Sequence, residues 1–427
     1  MKKKITISAI SVFILFLISY FSYNQLNTIY LKLKKKNEQI FNMQVSINEL
    51  QRRSYFKEFT QNEVYNWDGY KVFDIYKFNL AFEDDLISKK PLGYIEKLEE
   101  DLIYMTSDGK LSYYKNFFPF EFDALNNEFN SIKINTNFED FDISKDNINK
   151  CIDINDYVGE NGNSYIKRSV RDILILNNEL YVAMVNINKR NNSCFLSTKI
   201  IKGKINLNQN NIVFEIFFDV DHEVDLYDSR LIDTHLGGVM TIKNEKILLG
   251  YPDYGLAEMA QKTDNPFGKI LEIISENEYK IISLGNRNPQ GLFYIKNLNI
   301  IINTEHGPKG GDEININFQE DDEIPNFGWD VSSYGTAYAE PDPYKKSHAE
   351  YGFVEPFKYY VPSIGISQIV YMTNNLKFEN GRYLFVSSLR AGSIYIIKVN
   401  DKFDKILDED RIHFLEQRIR DIEYDKE

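Results

Sequence analysis

One module recurs along the chain and constrains its fold more than any other feature. An apolar run of strand length is followed by a few turn residues, then by a second apolar run that opens into a polar loop. It reads YIEKLEEDLIYMTSDGKLSYY from Tyr94, RDILILNNELYVAMVN from Arg171 and GGVMTIKNEKILLGYP from Gly237. It returns as QGLFYIKNLNIIINTEHG from Gln290 and SQIVYMTNNLKFENGRYLFVSSL from Ser367, and RDIEYDKE from Arg420 begins a sixth copy. The copies start roughly 50–80 residues apart, somewhat longer than simple four-stranded blades, and no helix-period run of useful length interrupts them. The expected architecture is all-β: a six-bladed β-propeller over residues 66–427 whose last blade is incomplete, unless strands from Val72–Ala81 close the ring. In such a ring the functional loops gather at one end of the central channel.

The N-terminal region is of a different kind. Residues 5–23 (ITISAISVFILFLISYFSY) carry no charge, and a helix needs about 20 apolar residues to cross the hydrocarbon core. A cleaved signal peptide would have a shorter apolar region and a small-residue cleavage site, which SYFSYNQ matches poorly, so an uncleaved transmembrane anchor is expected. Residues 1–4 then form a cytoplasmic tip. Lys2, Lys3 and Lys4 before the span are nearly balanced by Lys32, Lys34, Lys35 and Lys36 after it, so charge alone does not orient it. Leu26, Ile29, Leu33, Lys36, Ile40, Met43, Ile47 and Leu50 alternate spacings of three and four, which makes residues 24–60 a helical stalk. It is either a coiled coil that makes the protein a homo-oligomer or an amphipathic helix lying on the propeller or the bilayer.

A net charge of −13 disfavours nucleic acid as a partner, because phosphate binding needs clustered Lys and Arg. The two cysteines, Cys151 and Cys194, lack CxxC spacing, so a zinc or thioredoxin-like site is not expected. They are one disulfide in an oxidising compartment, or two separate buried thiols.

The loops after the module strands hold the densest polar constellations: THLGGVM (Thr234–Met240), GNRNPQG (Gly285–Gly291), EHGPKGGDEIN (Glu305–Asn315) and NFGWDVSSYGTAY (Asn326–Tyr338). YVPSIGIS (Tyr360–Ser367), SLRAGSIYIIKV (Ser388–Val399) and RIRD (Arg418–Asp421) follow. His235 is the kind of side chain that removes a hydroxyl proton near neutral pH. Arg287, Arg390, Arg418 and Arg420 suit a ligand with several carboxylates, and carbonyls around a Gly-Pro turn suit a hard cation. In this order, over about residues 90–427, the motifs resemble the quinoprotein (pyrroloquinoline quinone-dependent) glucose/sorbosone and aldose sugar dehydrogenases. Asn286 stands where many members have His, Arg390 replaces the usual Lys, and relatives continue past RIRD with another strand pair.

The resemblance implies an oxidoreductase that oxidises an aldose-like sugar by His-assisted hydride transfer to Ca²⁺-bound pyrroloquinoline quinone. His235 would be the general base, and Arg287 would contact the quinone oxygens. Asn288, Gln290, His306, Arg390, Arg418 and Arg420 would hold the cofactor. The carbonyls of Gly307 and Pro308 would bind the catalytic Ca²⁺, and Glu313 a second, structural one. Trp329 and Tyr334 would stack on substrate or belong to the core. Because this chemistry takes place outside the cytoplasm, the propeller is expected to face the periplasm or cell exterior from the inner membrane and to pass electrons to a membrane acceptor. The alternative is a non-catalytic binding propeller that has lost the cofactor, which the short C-terminus favours.

Overall fold

The computed structural model describes residues 60–67, 70–77, 93–117, 131–141, 170–190, 193–220, 222–232, 234–319, 323–374, 380–390, 392–412 and 418–424. The expected anchor and stalk lie outside the described residues. Among the described residues the only helices are short 3₁₀ turns, and no helix is long and apolar enough to cross a membrane.

The first module covers three strands of a blade, and each of the other four complete modules covers the first two. The first blade pairs Gly93–Leu98, Asp101–Thr106, Leu111–Tyr114 and Ser131–Thr136. The second pairs Val170–Leu176, Glu179–Arg190, Ser193–Lys204 and Glu215–Asp219. Met240–Lys243, Lys246–Tyr251, Lys269–Ser275 and Glu278–Ser283 make the third. Pro289–Ile295, Ile300–Glu305, Asp312–Asn317 and Lys358–Tyr360 make the fourth. Ile366–Asn374, Gly381–Ser388, Ile394–Val399 and Ile406–Ile412 make the fifth. A further two-residue strand, Asn211–Ile212, comes from the second module's chain and lies parallel on the outer strand of the first blade. Thr60–Trp67 and Tyr70–Lys77 form a separate two-stranded sheet.

Local chemistry explains the hairpins. The second blade turns at Asn177 and Asn178, with φ of 52° and 61°, and the third at Asn244 and Glu245, with φ of 49° and 65°. Two consecutive left-handed residues make the turn whose twist matches the flanking strands, and Asn tolerates that conformation better than most residues. Apolar side chains of neighbouring blades then interlock. One cluster joins the first and second blades, another the second and third, others the third to the fourth and the fourth to the fifth.

Five blades, rather than the expected six, are present among the described residues. Residues 418–424 form no strand ladder, yet Ile422 and Tyr424 pack on the fifth blade beside Val370 and Phe385. Ser367 Oγ donates to the Arg420 carbonyl at 2.7 Å, and Asp421 Oδ2 accepts from the Ile95 amide of the first blade at 2.9 Å. This segment therefore bridges the fifth blade and the first. Similar side-chain bonds join other neighbours round the channel: Glu96 to the Ile175 amide (3.1 Å), Asp172 to the Met240 amide (2.6 Å) and Gln368 to the Leu292 amide (3.2 Å).

Candidate functional site

The loops at one end of the channel bring most of the expected residues together. The turn before the third blade carries His235, and the loop after that blade's second strand carries Asp253. His235 Nδ1 and Asp253 Oδ1 are 2.7 Å apart, so a neutral ring donates from Nδ1 and keeps its lone pair on Nε2. The other Asp253 oxygen accepts from Trp329 Nε1 at 2.7 Å. Burial and the charge of Arg287 lower the His235 pKa, against the opposing pull of Asp253. Burial alone would raise Asp253, but His235, Arg287 and the Gly255 amide together hold it below the usual range. Asp253, which the motifs did not single out, is thus the residue that links the histidine to the aromatic wall. Its one sequence signal is its place in YPDYG, in the loop after a module's second strand.

Arg287 is 7% exposed and sits 5.1 Å from the Trp329 ring centroid. Its Nη1 donates to the carbonyls of His306 (2.9 Å) and Gly307 (2.8 Å), and its Nε is buried without a hydrogen-bond partner. Beneath it, Glu305 accepts from the amides of Arg287 and Asn288 and from Asn303, while burial pushes its pKa up to about 8. From Asn288 a chain of bonds leads to residues 418–424: Gln290 Nε2 donates to Asn288 Oδ1 at 3.0 Å, and Arg420 Nη1 to Gln290 Oε1 at 2.7 Å. Arg420 Nε is also buried without a partner, and burial brings this guanidinium down to about 10. His306 donates from Nε2 to the Ile366 carbonyl and, lowered to about 4 chiefly by burial, is neutral.

Other expected residues stand apart. Arg390 and Arg418 are exposed, with contacts at 3.5 Å to the Ser363 carbonyl and 3.4 Å to the Leu389 carbonyl. Trp329 lines the cavity together with Arg287, Glu305, His306 and Pro308, whereas Tyr334 is stacked at 3.8 Å on Tyr359 and donates its hydroxyl to Glu355. Glu313 Oε1 lies 3.5 Å from His348 Nε2.

The residues offer donors for an anionic cofactor: Arg287 and Arg420 each keep a buried Nε without a partner, Arg287 in the cavity with Trp329 and Glu305, Arg420 in another with Gln290, Arg171 and Asp172. Two of the groups expected to hold Ca²⁺ are engaged otherwise in this structure. The Gly307 carbonyl already accepts from a guanidinium, Glu313 faces a histidine, and no three His, Cys, Asp or Glu converge on one point among the described residues. A divalent ion on the same oxygen as Arg287 would meet strong like-charge repulsion.

Comparison with known proteins places this geometry. The sequence model of the Glucose / Sorbosone dehydrogenase family matches residues 176–427. Aldose sugar dehydrogenase YliI of Escherichia coli (strain K12) is 32% identical over 161 residues, which is 37% of this chain and 41% of that protein. The uncharacterised protein slr1608 of Synechocystis sp. is 27% identical over 213 residues, 44% of this chain and 50% of that one. The chain thus spans about half the length, or less, of the curated relatives it matches. A crystal structure of a glucose dehydrogenase superposes with a TM-score of 0.57 at 20% identity, covering 77% of this chain and 88% of the other. The pyrroloquinoline quinone-bound aldose sugar dehydrogenase of Streptomyces coelicolor gives 0.51 at 14%, covering 78% and 84%. At these identities the solved structures speak for the propeller fold alone.

Proposed function

The chain belongs to the Glucose / Sorbosone dehydrogenase family, and from that premise we propose that it is a quinoprotein dehydrogenase oxidising an aldose-like sugar. The observation that carries this reading is the pair of buried guanidinium groups, Arg287 and Arg420, each with an unused donor, in a network that adjoins the His235–Asp253 pair. A buried cation with a donor to spare calls for an anionic acceptor, and two within one network suit a ligand with more than one oxyanion.

Pyrroloquinoline quinone, when bound, supplies the two-electron acceptor that takes the hydride. The chain's own residues do the rest. Neutral His235 takes the hydroxyl proton on Nε2, and the carboxylate of Asp253 stabilises the imidazolium that results. Arg287 and Arg420 hold oxyanions, while Asn288 and Gln290 fix the spacing between them. Trp329 covers Arg287 and keeps water from it. The sugar loses one proton and one hydride from the same carbon–oxygen unit and leaves as a carbonyl compound.

The ring is part of the proposal: residues 418–424 would be the inner strand of a sixth blade, supported by their bonds to the first and fifth. So is location. Cys194 is disulfide-bonded, and Cys151 is the one other cysteine in the sequence, which supports an exported head behind an N-terminal anchor.

The test is uptake. Purified protein titrated with pyrroloquinoline quinone should bind it by absorbance and calorimetry, and loaded protein should reduce a dye with aldoses. Arg420→Ala should weaken uptake by roughly tenfold or more, the loss of one charge-assisted contact. Protein that takes up no cofactor would establish the binding-propeller reading instead.

A further inference from the structure

The third blade holds a buried cation that the chemistry above does not use. Lys269 opens that blade's third strand and is 0% exposed, yet no carboxylate pairs with it among the described residues. Its Nζ instead donates to three carbonyls, those of Met259 (2.8 Å), Ala260 (3.1 Å) and Phe267 (2.5 Å). Met259 and Ala260 lie near the end of the 3₁₀ turn Ala257–Gln261, where carbonyls point outward and a cation is favoured. Burying a lone charge is costly, and the surroundings of the turn show what the charge holds in place. The Ala260 carbonyl also accepts from the Gly285 amide at 3.1 Å, and the Gly268 carbonyl from the Asn286 amide at 3.1 Å, so the loop that carries Arg287 starts here. Gln261 Nε2 donates to the Trp329 carbonyl and to Asn326 Oδ1 (3.2 Å), and Asn326 Nδ2 donates back to Gln261 Oε1 (2.8 Å). The Trp329 amide completes the circuit by donating to the Gly285 carbonyl at 3.1 Å. Two parts of the site thus hang on one turn: the arginine loop, and the tryptophan that bonds Asp253.

We propose that Lys269 is a positioning residue of the candidate site: its ammonium fixes the 257–261 turn and, through Gly285 and Gln261, the places of Arg287 and Trp329. The proposal deepens the sugar-oxidising reading and rests on it for what the site acts upon. An ammonium has three N–H groups for three carbonyls, whereas a neutral amine has two, so losing one proton frees part of the turn. Burial brings this ammonium down to about 7, against the opposing charge of Asp264 on the exposed loop before it. The other groups around it are engaged or lie at the surface. Glu258 on the turn is exposed and paired with Arg230 at 2.6 Å, Lys262 is exposed, and burial keeps Tyr251 on the paired strand protonated. Asp253 is taken by His235 and Trp329, Arg287 by the carbonyls of His306 and Gly307, and half-buried His222 packs its ring on Phe267 at 6.4 Å. The folded chain holds the Lys269 proton less tightly than the unfolded chain does, so its loss does not favour unfolding. It loosens the turn within a standing blade.

The sequence holds two tryptophans, so Trp67→Phe in the full chain leaves Trp329 as a fluorescent reporter. Its emission should change in one step near pH 7, and Lys269→Met in the same chain should hold it at the alkaline value throughout. The step should persist in Glu305→Gln and in His222→Gln. Hydrogen exchange at fixed pH gives a second readout. In Lys269→Met the amides of Gly285, Asn286 and Trp329 should exchange roughly tenfold faster, while the strands of the third blade keep their protection. A step lost in Glu305→Gln or His222→Gln, or faster exchange spread evenly over the blade, would overturn the proposal. So would a flat emission between about pH 6 and 9 in the Trp67→Phe chain, whether or not Lys269→Met folds. Cofactor uptake is scored separately. A step without uptake would keep the role of Lys269 and remove the dehydrogenase reading, and uptake without a step would do the reverse.

Discussion

Burial and Arg287 hold the His235 pKa below its ordinary value, so the ring is free to accept a proton at neutral pH. Its neutral form is lost only in acid, and the acid limb of kcat/KM should fall below about 6.5. Asp253 pulls the other way, so Asp253→Asn should move that limb to still lower pH while reducing kcat through loss of the Nδ1 bond. His235→Gln should bind cofactor normally and turn over about 10²–10⁴-fold more slowly. A limb above 6.5, or normal turnover in His235→Gln, would remove the histidine from its role. Residues that stand out by type and neighbours were legible at this scale: one of 5 histidines beside a Gly-Gly turn, and an arginine in RNPQG. Asp253 was not, because its importance is a 2.7 Å distance to a residue 18 positions earlier. Nor was the use of the Gly307 carbonyl by Arg287, since backbone acceptors look alike in any sequence.

Strands and their pairing followed the modules closely, because alternating apolar runs bounded by Asn-rich turns leave few other folds open. The outer strands of each blade were less legible, since half-exposed edges carry weak patterns. The end of the chain was read as the start of a strand, but residues 418–424 hold their place through side-chain bonds and one backbone bond, from the Ile419 amide to the Ser388 carbonyl, instead of a ladder. Asp421 and Asp172 sit in the same RDI triplet and do the same work, each accepting an amide from the next blade and the amide of the residue that follows it. Asp172→Ala and Asp421→Ala should therefore cost similar amounts, about 1–3 kcal/mol for orphaned amides, read as a lower Tm. An unchanged Tm in Asp421→Ala would mean that the segment only leans on the ring. Burial raises the pKa of Asp172, Asp421 and Glu96, and the charge of Asp421 adds to it at Asp172 and Glu96. The native state thus binds protons more tightly than the unfolded chain, and stability should fall as pH rises from about 4 through the raised values. Asp421→Asn should flatten that slope.

At the scale of the molecule, a chain of net charge −13 spends two of its arginines in one buried network, a distribution that bulk composition hides. The order of motifs pointed to the family, and fold and family agree with it. The count of blades did not follow so simply. For the whole chain we predict an exported head: a reporter fused after Glu427 should be active only outside the cytoplasm, and non-reducing mass mapping should link Cys151 to Cys194. Cytoplasmic reporter activity would sink the topology, and both cysteines alkylated without reductant would sink the bond. The two-residue strand Asn211–Ile212 has a consequence in time. It completes the first blade with chain that arrives only after three strands of the second have been made. As residues emerge in order, the first blade must wait, open along its outer edge, until position 212 is free to swing back. The first two blades should therefore assemble in one slow step governed by a long loop closure, with the later blades added to a finished pair. A fragment starting at residue 176, where the family match begins, would hold the clasp without the sheet it closes.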